Sequence, residues 1–481
     1  MLSTSAALIW LVVFAGGFAC ASVLYARRHA GTLEDFVVAR NSQGAFATLL
    51  TLLASSLGAW ILFSPAQAAT WGGLAAVIGY AIGAMSPRIA MIPLGKRMRE
   101  LSPRGHTLTE FLILRYGRPM YGLTLAIMLF YLFIALSAEI TAIAKLVTLI
   151  APVPLWVTAA IVMGTTLLYT SWGGLRASMF TDRMQTLVIV PLLLVLVAFG
   201  WNAVGGMAPT IQGLQERAPQ LLDLTDPVGI KAGLTFFFAI LLTGLFHQGN
   251  WQRVYAAKDT RTMRNGFLLG GLLVAPFIFL MGLFGLAYVG LAPGTGDSSV
   301  ALFSVLLPNL PTWFVIALIP LGLALVMSTA DTAISAVASI IAVDMRRLMP
   351  TAPASRLKRI SRISIMLLAI PVMVVASQGY SVLYLFLLAD LLCSAAAIPV
   401  FYGMFSKRHD GFTATVATAC GLVAGLILFP APGASMDYLL ESFLVAAFVP
   451  VIVILIVRPF RSKRPEFDFA HLQDSVRKLD L

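Results

Sequence analysis

Apolar segments as long as a bilayer is thick recur from one end of this chain to the other. A spanning helix needs about 20 predominantly apolar residues. Thirteen stretches meet that length, at roughly 5–26, 45–68, 72–95, 120–149, 152–171, 183–204, 231–251, 265–291, 312–343, 361–377, 380–404, 411–429 and 437–457. They are too long for barrel strands and lack period-two alternation, so helices are the backbone that can satisfy its own polar groups in lipid. Composition agrees: 59% of residues are apolar and 11% charged, against about 25% charged in a soluble domain. The chain is expected to be an all-α integral membrane protein. A single transmembrane domain would fill 1–457, with a tail at 458–481 too short for a kinase or other catalytic domain.

A net charge of +12 invites a nucleic-acid reading. Thirteen spans place the termini on opposite sides, and that topology can be tested against the basic residues. Of 33 Lys and Arg, all but Arg88, Lys145, Arg217 and Lys231 fall in loops on the side of the C-terminus. The positive-inside rule then puts the N-terminus outside and the C-terminus in the cytoplasm, in a plasma or inner membrane, with no nucleic acid needed. The first apolar run has no charge before it and Arg27-Arg28 after it, which reads as a retained helix rather than a signal peptide. Cys20, Cys393 and Cys420 form no framework, and the five histidines form no metal motif. No GxSxG or HExxH appears, so an enzyme is not expected. Of the outside loops, Gly206–Gly229 is polar. Ala292–Pro311 carries Val300-Ala301-Leu302-Phe303, either a short helix over the membrane face or an ordinary connector.

Two spans are interrupted at membrane depth. The second reads Ala54-Ser55-Ser56-Leu57-Gly58-Ala59-Trp60, and the seventh Thr243-Gly244-Leu245-Phe246-His247-Gln248-Gly249-Asn250. Unwound backbone costs several kcal/mol per unsatisfied group in hydrocarbon unless it lines a cavity or binds something. Lying five helices apart, the two breaks point to a transporter built from inverted five-helix repeats. The ninth span adds Ser328-Thr329 and Asp331-Thr332. Hydroxyls, carbonyls and one carboxylate suit sodium, a hard cation. An acid at that depth needs a partner or a task. The sixth span opens at Ser171-Trp172-Gly173-Gly174 and carries Asp182 three residues before Gln185, the pattern of a cytoplasmic turn and a capped helix start.

These segments resemble the sodium:solute symporters, which include the proline/sodium and sugar/sodium cotransporters. The resemblance rests on Leu33–Arg40, on Gly173-Gly174-Leu175 through Gln185, on Trp251-Gln252-Arg253 with Ala256–Asp259, and on Met327–Thr332 with Val343-Asp344. It implies a LeuT-like five-plus-five inverted-repeat core over 45–404, an extra helix at 5–26 and two more at 411–457. It implies a principal sodium site from Ala54, Leu57, Leu325, Ser328 and Thr329. A second sodium, where present, would use Asp182, Ser328, Asp331 and Thr332. Asp331 stands where some relatives have serine, and Ser56 where proline carriers have aspartate, which argues against a proline carrier.

The implied function is sodium-coupled import of a small organic solute by alternating access. A sensor built on a symporter-like domain is the alternative. Candidate solute contacts are Ser55, Trp60, Glu139, Gly244, His247, Gln248 and Asp390. Glu139 either pairs with Lys145 or a hydroxyl, or faces the cavity; unpaired acids there favour an amine, urea or amino acid, and Trp-Gln-Arg looks like the urea carriers' stretch.

Overall fold

The structure, a computed structural model, describes residues 2–28, 31–291, 296–432, 434–461, 465–476 and 479. These residues are helical, apart from loops and a lone bridge between Gln43 and Ala257. Helix α1 (Thr4–Arg28) is followed by the short α2 (Leu33–Val37), α3 (Ala45–Ala54), α4 (Ser64–Leu101), α5 (Leu108–Tyr116), α6 (Arg118–Ile150) and α7 (Leu155–Ala203). The polar loop beyond α7 holds α8 (Met207–Arg217). Next come α9 (Pro227–Gly244), α10 (Gln248–Ala256), α11 (Thr260–Leu291), the short α12 (Ala301–Leu306) and α13 (Thr312–Leu348). The chain closes with α14 (Ala354–Ser377), α15 (Val382–Tyr402), α16 (Gly411–Leu428), α17 (Leu439–Phe460) and α18 (Ala470–Ser475).

Eleven of these helices are long and apolar enough to cross a membrane: α1, α4, α6, α7, α9, α11 and α13–α17. Two are composite. Helix α4 runs 38 residues and α7 runs 49, and each is two helices joined across a kink. The kinks fall at Gly73 (φ 62°, ψ −159°) and Gly174 (φ 56°, ψ −150°), backbone geometry that is essentially glycine's alone. The same string, Trp-Gly-Gly-Leu, stands at both, as residues 71–74 and 172–175. The expected turn before the sixth span is therefore taken in one residue. The helix is already under way at Leu175, so Asp182 lies in its interior and is not an N-cap.

Helix α12 turns the expected segment around Leu302-Phe303 into one short helical stretch with both side chains buried. The Phe303 ring lies 5.0 Å from that of Phe63, between α3 and α4. Ala292–Thr295, the start of that loop, is outside the described residues.

On the basic face, loops are tied down by charged side chains that accept or donate across elements. Arg99 donates to Val254 O (2.7 Å) and Ala257 O (3.0 Å). Arg40 donates to Gly105 O (2.8 Å) and pairs with Glu34 (2.7 Å). His106 is enclosed between two carboxylates, Glu34 at 2.9 Å and Glu110 at 3.1 Å. Burial disfavours its imidazolium, but hydrogen bonds and charge from Glu110 and Glu34 carry its pKa up to about 9. Burial likewise works against the Glu34 carboxylate, yet His106 and Arg40 hold it down to about 2.

Two outcomes follow from these features. Gly174→Ala forces a side chain into the glycine-only region with its Cβ against the Phe36 ring. It should cost about 1–3 kcal/mol, seen as a melting temperature several degrees lower in detergent. The His106 cluster should stabilise the fold fully below pH about 6.5 and lose that contribution as pH rises through about 9. Glu34's share persists until pH falls through about 2. Melting curves between pH 6.5 and 9.5 should therefore decline more steeply for the parent chain than for His106→Gln.

Candidate functional site

Helix α3 stops at Ala54 because the next four residues offer the backbone other partners. The Ser56 hydroxyl donates back to Leu52 O, and Leu57 N donates to Leu53 O (3.1 Å) and Ala54 O (3.2 Å). Gly58 is then extended (φ −91°, ψ 174°), and Ala59–Leu62 form one tight turn before α4. A break at this depth frees amide groups that need acceptors. Glu139, from α6, supplies one: its Oε2 accepts from Ala59 N at 2.7 Å. It does not pair with Lys145, whose ammonium donates instead to Ser299 (3.0 Å).

Helix α13 packs against this break. Ser328 Oγ lies 3.1 Å from Ala54 O and 2.9 Å from Leu325 O. Thr329 Oγ1 lies 3.1 Å from Leu325 O. Four of the five expected sodium ligands thus bring oxygens into one cluster of two carbonyls and two hydroxyls, a hard donor set that fits an alkali cation. The fifth, Leu57, sits buried in the same unwound stretch.

One helical turn further, a second polar cluster is fully buried. Arg253 Nη2 pairs with Asp182 at 2.7 Å and donates to Thr332 Oγ1 at 2.9 Å. Its Nε donates to Thr51 Oγ1 (3.1 Å), and Thr51 in turn donates to Asp182. Arg253, counted by sequence among loop cations, is 1% exposed. The second break places α10 inside the protein, so its arginine faces inward. Asp331 takes a different environment: hydroxyls of Ser178 (2.8 Å), Thr181 (2.9 Å) and Tyr169 (3.0 Å) donate to it. The cluster therefore holds two carboxylates and one guanidinium.

Between the breaks lies a cavity of about 130 Å³. Of the expected solute contacts, Ser55, Trp60, Glu139, Gly244, His247 and Asp390 line it. Gln248 does not. Its amide donates to His106 O and accepts from Leu108 N, both at 3.0 Å, which pins α10 to the entry of α5. Thr329 and Thr332 also line the cavity, so the helix carrying the oxygen cluster forms part of its wall.

The sodium:solute symporter family model matches residues 36–421. This chain belongs to the sodium:solute symporter family. The symporter is a multi-pass membrane transporter, not an enzyme, and sodium is its coupling ion. Among similar proteins, a spermidine transporter of Candida albicans is 26% identical over 82% of this chain and 75% of its own length. The sodium/pantothenate symporter of Escherichia coli is 28% identical over about half of each, 54% and 55%. In fold, the chain superposes on an outward-open sodium-coupled sialic acid symporter with a TM-score of 0.75. That match covers 94% of this chain and 98% of that one at 17% identity.

Sequence reasoning missed several residues that the symporter fold brings to the site. Arg88 lines the cavity and donates to Ser56 Oγ (2.7 Å) and Ala84 O (2.6 Å). An arginine inside an apolar span is itself the available signal. Thr51, Tyr169 and Ser178 carried none, because single hydroxyls are common in membrane helices.

Arg253→Gln should leave Asp182 buried without its cation, a loss of about 3–5 kcal/mol. The double variant Asp182→Asn with Arg253→Gln should recover most of that in thermal melts. Equal stability of the single variant and the parent would show that the pair does not hold these helices.

Proposed function

We propose that this protein imports a small organic solute (an amino acid, urea, an amine or a similar molecule) with sodium, by alternating access about the cavity between the two broken elements. The kinks at Gly73 and Gly174 divide α4 and α7, which supports thirteen spans with the N-terminus outside and the C-terminus in the cytoplasm. The principal sodium position is Ala54, Leu57, Leu325, Ser328 and Thr329. A second cation position is Asp331 with Ser328, Thr332 and Asp182, where one carboxylate exceeds the charge that Arg253 supplies.

One observation carries the reading. Ser328 touches the carbonyl at the end of α3, while its neighbour Thr329 lines the solute cavity. Sodium bound there would draw its oxygens from α3 and α13 at once and so fix the break, which also bears Ser55 and Trp60 on the cavity wall. The solute then meets a wall already in place. Because this is a linkage between two binding free energies, the solute must raise sodium affinity by the same factor. In the ion's absence this cluster joins α3 to α13 by one hydroxyl hydrogen bond, Ser328 Oγ to Ala54 O, and both ligands can leave.

Ser328→Ala with Thr329→Ala removes both hydroxyls from the cluster. Apparent sodium affinity, read from sodium-dependent thermal stabilisation, should fall by about tenfold or more. Uptake driven by a sodium gradient in vesicles should fall with it. Unchanged sodium dependence in that variant would refute the site. Solute binding with no gradient-driven accumulation by the parent protein would point to a sensor instead.

A further inference from the structure

Among the ionisable side chains that line the cavity, Glu139, Arg88 and Asp390 are satisfied unequally. Glu139 is engaged at the first break by Ala59 N. Arg88, on α4, gives Nε and Nη1 to neutral acceptors, Ser56 Oγ and Ala84 O, which take its hydrogen bonds but not its charge. Among the described residues no carboxylate lies within ion-pair distance of Arg88, and no Lys, Arg or His lies within that distance of Asp390 on α15. Asp390 is 6% exposed, and Phe386, one helical turn earlier on the same face, lines the cavity with it.

Both charges flank the second break. The backbone carbonyl of Asp390 accepts from Thr243 Oγ1 (3.2 Å). Pro87, next to Arg88, packs on the adjacent Gly244, where an added Cβ would lie 2.4 Å from the proline. A guanidinium and a carboxyl group thus line one small space, and among the described residues neither has an ion-pair partner. Uncompensated charge at this depth is costly, and breaking one half of a compensated pair costs more than never having made it.

We infer that the solute is a small zwitterion, its carboxylate bound at Arg88 and its cationic nitrogen at Asp390 beside the rings of Phe386 and Trp60. This rests on the cavity being the solute site. The arginine fork matches a carboxylate. The two rings, 6.0 Å apart and inclined at 62°, offer faces to an alkylammonium. Other solute classes leave a charge exposed. A simple amine answers Asp390 and leaves Arg88. A polyamine adds positive charge beside Arg88. Urea or a polyol neutralises neither group, and a plain carboxylate leaves Asp390.

The test is a thermal-shift series on the purified full-length protein in sodium chloride and in potassium chloride. The zwitterion probes are L-alanine, L-proline, glycine betaine and γ-aminobutyrate. The controls are propionate, propylamine, spermidine, urea and myo-inositol. At least one zwitterion should raise the melting temperature by several degrees in sodium and far less in potassium, with no control doing so. Arg88→Gln and Asp390→Asn should each weaken that zwitterion by about 30-fold or more while keeping the shift that sodium alone produces, which shows that the variants are folded. Stabilisation by a control instead of a zwitterion, by no probe, or by a zwitterion equally well in both variants would overturn the inference. Loss of the sodium shift in the parent protein would overturn the sodium reading separately, whatever the zwitterions do.

Discussion

Arg253 is the point at which four helices of the transporter are joined. Its guanidinium, buried with no water to replace a missing partner, reaches Thr51 on α3, Asp182 on α7 and Thr332 on α13, and it is itself carried by α10. Two of those helices, α3 and α10, are halves of the broken elements. A buried ion pair adds little net stability compared with a packed apolar core. What it does here is fix register: four helices must present their polar atoms at one place or leave a charge stranded. The oxygen cluster around Ser328 lies one turn along α13 from Thr332, so its geometry inherits that register.

The breaks themselves obey the same rule that makes membrane helices regular. Every amide or carbonyl released from the ladder needs a new partner. At the first break Glu139 provides one from a different helix, and at the second Trp251 Nε1 donates to Leu245 O (2.8 Å) and Asn250 to Gly244 O (2.8 Å). The unwound stretches are therefore held shapes with their remaining carbonyls available.

Much of this was legible in the sequence. Apolar run length gave the membrane class, and the small-residue interruptions at Ala54–Trp60 and Thr243–Asn250 marked where helices stop. The oxygen-rich string at Ser328–Thr332 supplied the expected cation ligands, of which Ser328 meets Ala54 O. What sequence could not supply was which polar groups face each other. Asp182 and Gln185 have the spacing of a helix start, but the turn is completed at Gly174, so the acid falls inside a helix and finds Arg253. Gln248 has the chemistry of a solute ligand, yet the loop at His106 claims its amide. Arg88 was visible as an arginine in an apolar span, but only packing shows that Ser56 and Ala84 are its neighbours.

The repeated Trp-Gly-Gly-Leu string has a practical consequence. Where the chain changes helix within one glycine, there is no linker to receive an epitope, a protease site or a reporter cysteine. Work on sidedness must go through connections that have slack, such as the polar stretch around α8. The kink at Gly174 falls between two apolar runs, where hydropathy alone would place a loop, yet the chain is helical on both sides of it.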